Sequence, residues 1–212
     1  MTNPAPYAIT ISRQLGSGGA YLGRKLATGL RVSYADREIL ERAADSLRTK
    51  ASDIESREEA VPSFLDTVLE ALVLGVPEVN YASALEMPSY SELQVAEANV
   101  IREIAARRSA VIVGRAGHFL LSQHPRHISV FVHAELGFRL ERIESFFGVS
   151  REKAMQLIEN SDNARGRYLQ ELTGRTWTDA EQYHVSLCTS SVGLESASEL
   201  LLALARRAFA LS

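Results

Sequence analysis

Four small residues, Gly16–Gly19, form the part of this chain whose types and spacing most directly suggest chemistry. They follow an apolar run at 8–11 and precede a segment in which Leu22, Leu26 and Leu30 recur at helical spacing. This order predicts a buried strand, a glycine-rich turn and the start of a helix. Glycines let the backbone approach a phosphate closely, and a helix N-terminus directs free N–H groups toward it. The residues expected to contact phosphate groups are Gly16, Ser17, Gly18, Gly19, Ala20 and Tyr21.

The turn departs from the G-x-x-x-x-G-K-[ST] motif of nucleotide hydrolases and kinases. When the motif is aligned on Gly18, Arg13 stands in place of its first glycine, Gly19 in place of its lysine and Ala20 in place of its hydroxyl residue. The sequence therefore predicts a phosphate-binding backbone without its two usual side chains. Arg13, Arg24 and Lys25 could supply the missing positive charge. We prefer Arg13, because Arg24 and Lys25 lie beyond the first turn of the helix.

Two other interpretations of the turn remain open. It could be a plain strand-to-helix connection without a ligand. It could also belong to a dinucleotide site, since Asp36 follows Gly16 by 20 residues, the offset expected of a ribose-binding acid. Tyr21 occupies the place of the third glycine in that fingerprint and would crowd the contact between helix and strand. We therefore favour a mononucleotide.

A polar, arginine-rich segment at about 160–180 is the second candidate for chemistry. Arginines on a mobile segment can stabilise the charge that develops during phosphoryl transfer and exclude water. We expect Arg165 and Arg167 to act in this way, with Gly166 giving the segment mobility. The alternative is a solvated helix face on which Asp162 and Arg165 pair at spacing i, i+3.

Three further arginines lie in the second half of the chain. Arg115 follows an apolar run that predicts a buried strand, whereas Arg139 and Arg142 lie one helical turn apart. We expect Arg139 and Arg142 on a solvated helix face. The five histidines show no spacing typical of a zinc site, so no metal ligand is assigned.

Strands and helices alternate along the chain, which predicts an α/β sandwich with a mainly parallel sheet. Residues 45–90 read as a mostly helical insertion, with an apolar stripe in Phe64–Val76. The predicted strands after the first lie at 31–36, 110–113, 127–132 and 183–187, and the predicted helices after the first begin near 37, 90, 136, 150 and 194. Ligands of such sheets bind beyond the carboxyl ends of the strands, where the glycine turn, Asp36-Arg37 and Gly114-Arg115 converge.

The bulk composition limits the function classes. The 212 residues suit one substantial domain, 1–212, and the formal net charge of −3 argues against a general nucleic-acid binder. Cys188 is the only cysteine, the N-terminus lacks the features of a signal peptide, and no apolar run is long enough to span a membrane. We expect a cytoplasmic protein with no membrane or nucleic-acid partner.

The chain resembles the cytidylate kinase-like family, relatives of bacterial cytidylate kinase among the nucleoside monophosphate kinases. The matching blocks extend along nearly the whole chain: ITISRQLGSGG (9–19), YADREIL (34–40), VIVGRAGHFLL (111–121), VFVHAELGFRLERI (130–143), 162–168, TGRTWTD (173–179) and YHVSLCTSSVGLESA (183–197). The resemblance implies a P-loop kinase fold, a three-layer sandwich with ATP phosphates on the Gly16–Gly19 turn. It also implies a nucleoside monophosphate near Asp36, Arg37 and Arg115, and a lid carrying Arg165 and Arg167.

The expected function is that of a nucleoside monophosphate kinase-like phosphotransferase, which transfers a phosphoryl group from ATP with Mg²⁺ to CMP, dCMP or a related monophosphate. True cytidylate kinases carry lysine and serine where this chain has Gly19 and Ala20. A non-catalytic nucleotide-binding regulator on the same fold is therefore the alternative. A dinucleotide-binding oxidoreductase is a third possibility. The helix at 90–108 and the insertion at 45–90 could equally be core or the subunit interface of a homodimer.

Overall fold

The computed structural model describes residues 5–54 and 90–211. The predicted insertion at 45–90 therefore falls mostly outside the described residues, as does the apolar stripe of Phe64–Val76. Residues 45–54 continue the helix that begins at Arg37.

A five-stranded parallel sheet forms the centre of the described chain. The sheet order is β2-β3-β1-β4-β5, so the first strand lies in the middle. The strands are β1 (Ala8–Arg13), β2 (Ser33–Ala35), β3 (Ala110–Val113), β4 (His127–His133) and β5 (Val185–Cys188). In register, Ile9 of β1 lies between Val111 of β3 and Ile128 of β4. All five carboxyl ends therefore meet at one edge of the sheet.

Helices connect successive strands and cover both faces. The helices with described bounds are α1 (Gly19–Leu30), α2 (Arg37–Ile54), α3 (Tyr90–Arg107), α4 (Gly117–Leu120), α5 (Leu136–Phe147), α6 (Arg151–Thr173), α7 (Thr189–Val192) and α8 (Leu194–Phe209). A short 3-10 helix, Ala180–Gln182, precedes β5.

Two apolar layers hold the sheet between the helices. On one face, Ile11 of β1 packs with Leu22 and Leu26 of α1 and with Leu201 of α8. On the other face, α2 and α3 cover the sheet, and Ile101 is among their buried residues. The result is the predicted three-layer α/β sandwich, and it brings the glycine turn, the end of β2 and the end of β3 to the same edge.

The helix boundaries follow the apolar periodicity closely. Burial departs from this periodicity in one helix, α5. Leu140 and Ile143 of α5 are buried, whereas Leu136 and Phe147 at its two ends are exposed. The charged residue Arg139 is buried between them. None of the helices in the described part of the chain has the length and apolarity needed to cross a membrane.

Candidate phosphate site at the carboxyl edge of the sheet

The phosphate loop, residues 14–18 between β1 and α1, is a tight turn held by its glycine conformations and by hydrogen bonds to side chains. Gly16 and Gly18 have φ values of 83° and 87°, in the left-handed region that only glycine adopts without strain. The hydroxyl of Ser17 donates to the carbonyl oxygens of Gln14 at 2.8 Å and of Val132 at 3.1 Å. The backbone N–H of Ser17 also donates to the carbonyl oxygen of Gln14, at 3.3 Å, so both donors of this residue are engaged in the turn. The phosphate-binding role expected of Ser17 stays a prediction.

Helix α1 begins directly after the loop and presents its N-terminus at this edge. Gly18 is the N-cap residue, no side chain caps the helix and no acidic residue lies in its first turn. The first N–H groups of a helix have no partner within the helix, so those of Gly19, Ala20 and Tyr21 suit an anion. The hydroxyl of Tyr21 donates to Glu195 on α8, so this hydroxyl is engaged by another helix.

The outer side of the loop is held by two arginines of α5 and by an aspartate of α6. Arg139 Nε donates to the carbonyl oxygen of Leu15 at 2.7 Å, and Arg142 Nε donates to that of Gly16 at 3.0 Å. Asp162 accepts from the backbone N–H of Leu15 at 2.9 Å and forms an ion pair with Arg139. The expectation that Arg139 and Arg142 lie on a solvated helix face is wrong. Their sequence spacing gave no indication that a loop distant in sequence needs donors for its carbonyl groups.

Arg13 extends from the end of β1 over the glycine that stands in place of the motif lysine. A Cβ atom added at Gly19 would lie 2.8 Å from the Cγ of Arg13 and still closer to its Cβ. The arginine side chain therefore fills the space in which a lysine at that position would begin. Its guanidinium continues past Gly114 to an ion pair with Asp36, at 3.7 Å between Nη2 and Oδ1. Burial lowers the pKa of Arg13, and the charge of Asp36 opposes that effect.

Two other arginines lie close enough to Arg13 for their charges to interact with it. Arg115 lowers the pKa of Arg13 further. Arg165 has its pKa lowered to about 9, first by burial and then by the charge of Arg13. We call Arg13, Arg115 and Arg165 the guanidinium cluster. Such a concentration of positive charge is typical of a site for phosphate groups.

Acidic residues balance part of this charge. Asp36 also accepts a hydrogen bond from the hydroxyl of Tyr34 at 3.1 Å, and burial together with Asp36 raises the pKa of Tyr34 to about 12. Asp162 lies 3.2 Å from Nη1 of Arg165. Asp162 and Arg165 therefore pair, as the alternative interpretation of this segment predicted. The pair lies beside the phosphate loop and not on a solvated helix face.

Arg115 is held by a buried carboxylate on α3. Its Nη1 lies 3.0 Å from Oε1 of Glu97, a side chain that is only 1% exposed. The other oxygen of Glu97 accepts a hydrogen bond from the hydroxyl of Tyr168 at 2.7 Å. The backbone at Arg115 and Ala116 is left-handed, with φ values of 53° and 51°. Glu97 is not among the predicted site residues, although its place one helical turn before Ile101 indicates an inward-facing side chain.

Two of the expected arginines do not join the cluster. Arg37 is exposed and its Nε donates to Glu41, one turn along α2, at 2.8 Å. Arg167 is also exposed and lies two residues from Arg165, which places it about 200° around α6. Gly166 lies within α6, where an added Cβ would be 3.2 Å from the ring of Trp177. The lid expected at 160–180 stays a prediction, as do the roles of Arg37 and Arg167.

A family model described as the cytidylate kinase-like family matches residues 8–191. The chain belongs to the cytidylate kinase-like family. This confirms the resemblance inferred from the sequence blocks. Among curated proteins, none matches the chain significantly.

Solved structures share the fold of this family member. An uncharacterized protein from Eubacterium ventriosum has a TM-score of 0.68 at 21% identity, covering 94% of this chain and 98% of its own. A shikimate kinase from Bacteroides thetaiotaomicron has a TM-score of 0.52 at 13% identity, and the match covers 95% of this chain and 97% of the shikimate kinase. The protein TT1252 from Thermus thermophilus has a TM-score of 0.50 at 17% identity, and the match covers 98% of this chain and 99% of TT1252. At these identities the likeness concerns the fold, a P-loop kinase-type α/β sandwich.

Proposed function

We propose that this chain is a nucleoside monophosphate kinase-like phosphotransferase that transfers the γ-phosphoryl group of ATP to CMP, dCMP or a related monophosphate. One observation carries the proposal. The guanidinium cluster lies at the carboxyl edge of the sheet, where the phosphate loop and the open N-terminus of α1 also lie. Family membership supports the same reaction class.

Each part of the site has a role in this proposal. The phosphate loop and the first turn of α1 bind the ATP phosphates through backbone N–H groups. Arg13 supplies the charge for which the motif uses a lysine. Arg115 and Asp36 bind the acceptor monophosphate, and Arg165 reaches the transferred group. Arg165 exchanges its contact with Asp162 for the equatorial oxygens of that group, where charge accumulates during transfer.

The pairing of the carboxylates favours a phosphate acceptor over an alcohol. In the proposed reaction, an acceptor phosphate oxygen forms a bond to the γ-phosphorus while the bond to the bridging oxygen breaks and ADP leaves. A phosphate monoester is largely a dianion at neutral pH and needs no general base. A hydroxyl acceptor would need one. Asp36 and Asp162 are already engaged by Arg13 and by Arg139 and Arg165, which suits them poorly for that task.

Mg²⁺ would enter with ATP as part of the substrate. The residues present do not fit a dedicated protein metal site. Ala20 provides no hydroxyl ligand. In the described part of the chain, no group of three or more histidine, cysteine or acidic side chains is placed to hold a metal ion. We expect the phosphates and water to complete its coordination.

The test is a coupled ADP-release assay with ATP and each nucleoside monophosphate, with shikimate added because one structural relative is a shikimate kinase. We expect turnover with a pyrimidine monophosphate. Replacing one electrostatic stabiliser should lower kcat by about 10²–10³-fold, so R13A and R165A should each show this loss. R151A is the matched control, because Arg151 is an exposed arginine of the same helix as Arg165. R167A tests the remaining expected lid arginine.

A non-catalytic nucleotide-binding regulator is the second candidate, favoured by Gly19 and Ala20 in the motif positions. It predicts thermal stabilisation by nucleotides without ADP release. Turnover that R165A abolishes would exclude the regulator. A nucleotide-induced shift that R165A leaves unchanged, with no ADP formed, would exclude the kinase.

A further inference from the structure

The buried carboxylate of Glu97 has no part in the reaction proposed above, yet it contacts two elements of the site. Burying a carboxylate is costly unless it is paired and hydrogen-bonded. Glu97 is paired with Arg115 by charge, at 3.0 Å between Oε1 and Nη1, although Oε1 has no hydrogen bond to any described residue. Its other oxygen accepts a hydrogen bond from the hydroxyl of Tyr168 at 2.7 Å. It therefore connects the end of β3 to α6.

Tyr168 lies on the face of α6 that carries the other site residues of this helix. Asp162, Arg165 and Tyr168 follow one another at three-residue spacing, which places them along one side of a helix. Asp162 contacts the phosphate loop, and Tyr168 contacts Glu97. A displacement at either end of this face would therefore also move Arg165.

Arg115 depends on an outside partner for its position. Its left-handed backbone, with φ of 53°, is unfavourable for a residue with a side chain, so the surrounding contacts must hold it. Its side chain is 15% exposed and is directed to Glu97. A guanidinium carries five N–H donors, so an ion pair through one nitrogen leaves donors for an anion.

We propose that Glu97 is a positioning residue that orients Arg115 for the acceptor phosphate and, through Tyr168, couples that orientation to the helix carrying Arg165. The proposal rests on the proposed function for the identity of the acceptor. In Glu97→Gln, the neutral amide has two orientations. In one, its NH₂ group lies against the guanidinium of Arg115. In the other, its NH₂ group faces Tyr168, and the bond that the Tyr168 hydroxyl donates is lost. In Tyr168→Phe, only the hydroxyl is lost.

The kinetic test measures KM for the monophosphate and for ATP separately. Loss of a hydrogen bond to a buried charged group should raise the monophosphate KM about tenfold or more in E97Q and in Y168F, with the ATP KM unchanged within about twofold. Because both variants break one linkage, E97Q/Y168F should equal E97Q within about twofold. E103Q is the control, because Glu103 is a half-buried acid of the same helix that pairs with Arg42 and Arg107.

Hydrogen exchange provides a readout that does not need turnover. Amides of 165–173 in α6 and of 114–117 after β3 should exchange faster together in E97Q and in Y168F, but not in E103Q. Faster exchange in only one of the two segments would refute the coupling. Equal rises in both KM values, or additive effects in E97Q/Y168F, would refute the positioning role.

Failure of the proposed function has a different signature. It would appear as absence of turnover in the unaltered protein with every monophosphate. The exchange experiment would still decide whether Glu97 couples the two segments. Y168F also protects the test against misfolding of E97Q, because it keeps the buried ion pair and removes a single oxygen.

Discussion

Placing a lysine at Gly19 should damage this protein, although the motif of related enzymes has a lysine there. The new Cβ would lie 2.8 Å from Cγ of Arg13, and Cβ contacts below 3.0 Å do not occur without movement of a neighbour. Overpacking of this kind costs about 1–3 kcal/mol. For a chain of this size, that loss lowers Tm by roughly 2–12 °C. Urea denaturation of G19K should show the lower stability directly.

Removing the side chain of Arg13 should restore stability that is lost in G19K. In R13G/G19K the space beside the helix is vacated, and the two changes together also restore the first glycine and the lysine of the motif. R13G alone should cost about 0.5–1 kcal/mol for a glycine in a strand, in addition to its lost ion pair with Asp36. We therefore expect the double variant to be more stable than the sum of the single losses predicts, by about 1–3 kcal/mol. It should also release ADP faster than either single variant.

The matched control is G137K, because Gly137 lies in the first turn of α5 and an added Cβ there would have no atom within 4 Å. Its stability should be unchanged or slightly higher, since lysine is a better helix former than glycine. Additive losses in R13G/G19K, with coupling within about 0.5 kcal/mol, would refute the conclusion that Arg13 and a lysine at 19 compete for one space. Unimpaired stability of G19K alone would refute it as well.

Two further predictions concern stability. Asp162→Asn should lower the free energy of unfolding by about 3–5 kcal/mol, because it leaves Arg139 buried with only 6% of its side chain exposed. The control is R151Q, which breaks the exposed pair between Arg151 of α6 and Glu144 of α5. It should change the free energy of unfolding by less than about 1 kcal/mol, as denaturant titration would show. Burial lowers the pKa of His118 and of His127 from 6.5 to about 4. The unfolded histidines bind protons first as pH falls, so stability should decrease from pH 6.5 to 4 by at most about 3 kcal/mol for each, and H127Q should flatten that slope. A pH-independent free energy of unfolding over this interval would contradict the assignment.

The fold could be predicted from the sequence because its elements are marked by local signals. The apolar run at Ala110–Val113 gives β3 its bounds, and the stripe from Leu194 to Phe209 gives α8 its bounds. The convergence of Asp36 and Arg115 with the glycine turn followed from parallel topology alone. These features depend on residues close in sequence or on a general property of parallel sheets.

The contacts that hold the site together could not be predicted in this way. The bond from Arg139 to Leu15 joins residues 124 apart in sequence, and Tyr168 and Glu97 are separated by 71 residues. Periodicity assigns a residue to a face of its helix but does not identify what covers that face. The spacing of Glu97 relative to Ile101 indicated an inward-facing side chain, but no local signal indicated what Glu97 or the buried Arg139 would contact. Both are explained only by the polar groups that the tertiary structure places against them.

The turn after β3 stores conformational strain next to the proposed acceptor site. Gly114, Arg115 and Ala116 are left-handed in succession, and each residue with a side chain is disfavoured there by about 1–2 kcal/mol. Glycine at Ala116 would relieve part of this strain and should raise thermal stability. It would also widen the range of backbone angles open to the residue beside Arg115. This turn is therefore a place where selection for a more heat-resistant protein and selection for a precisely oriented arginine favour different residues.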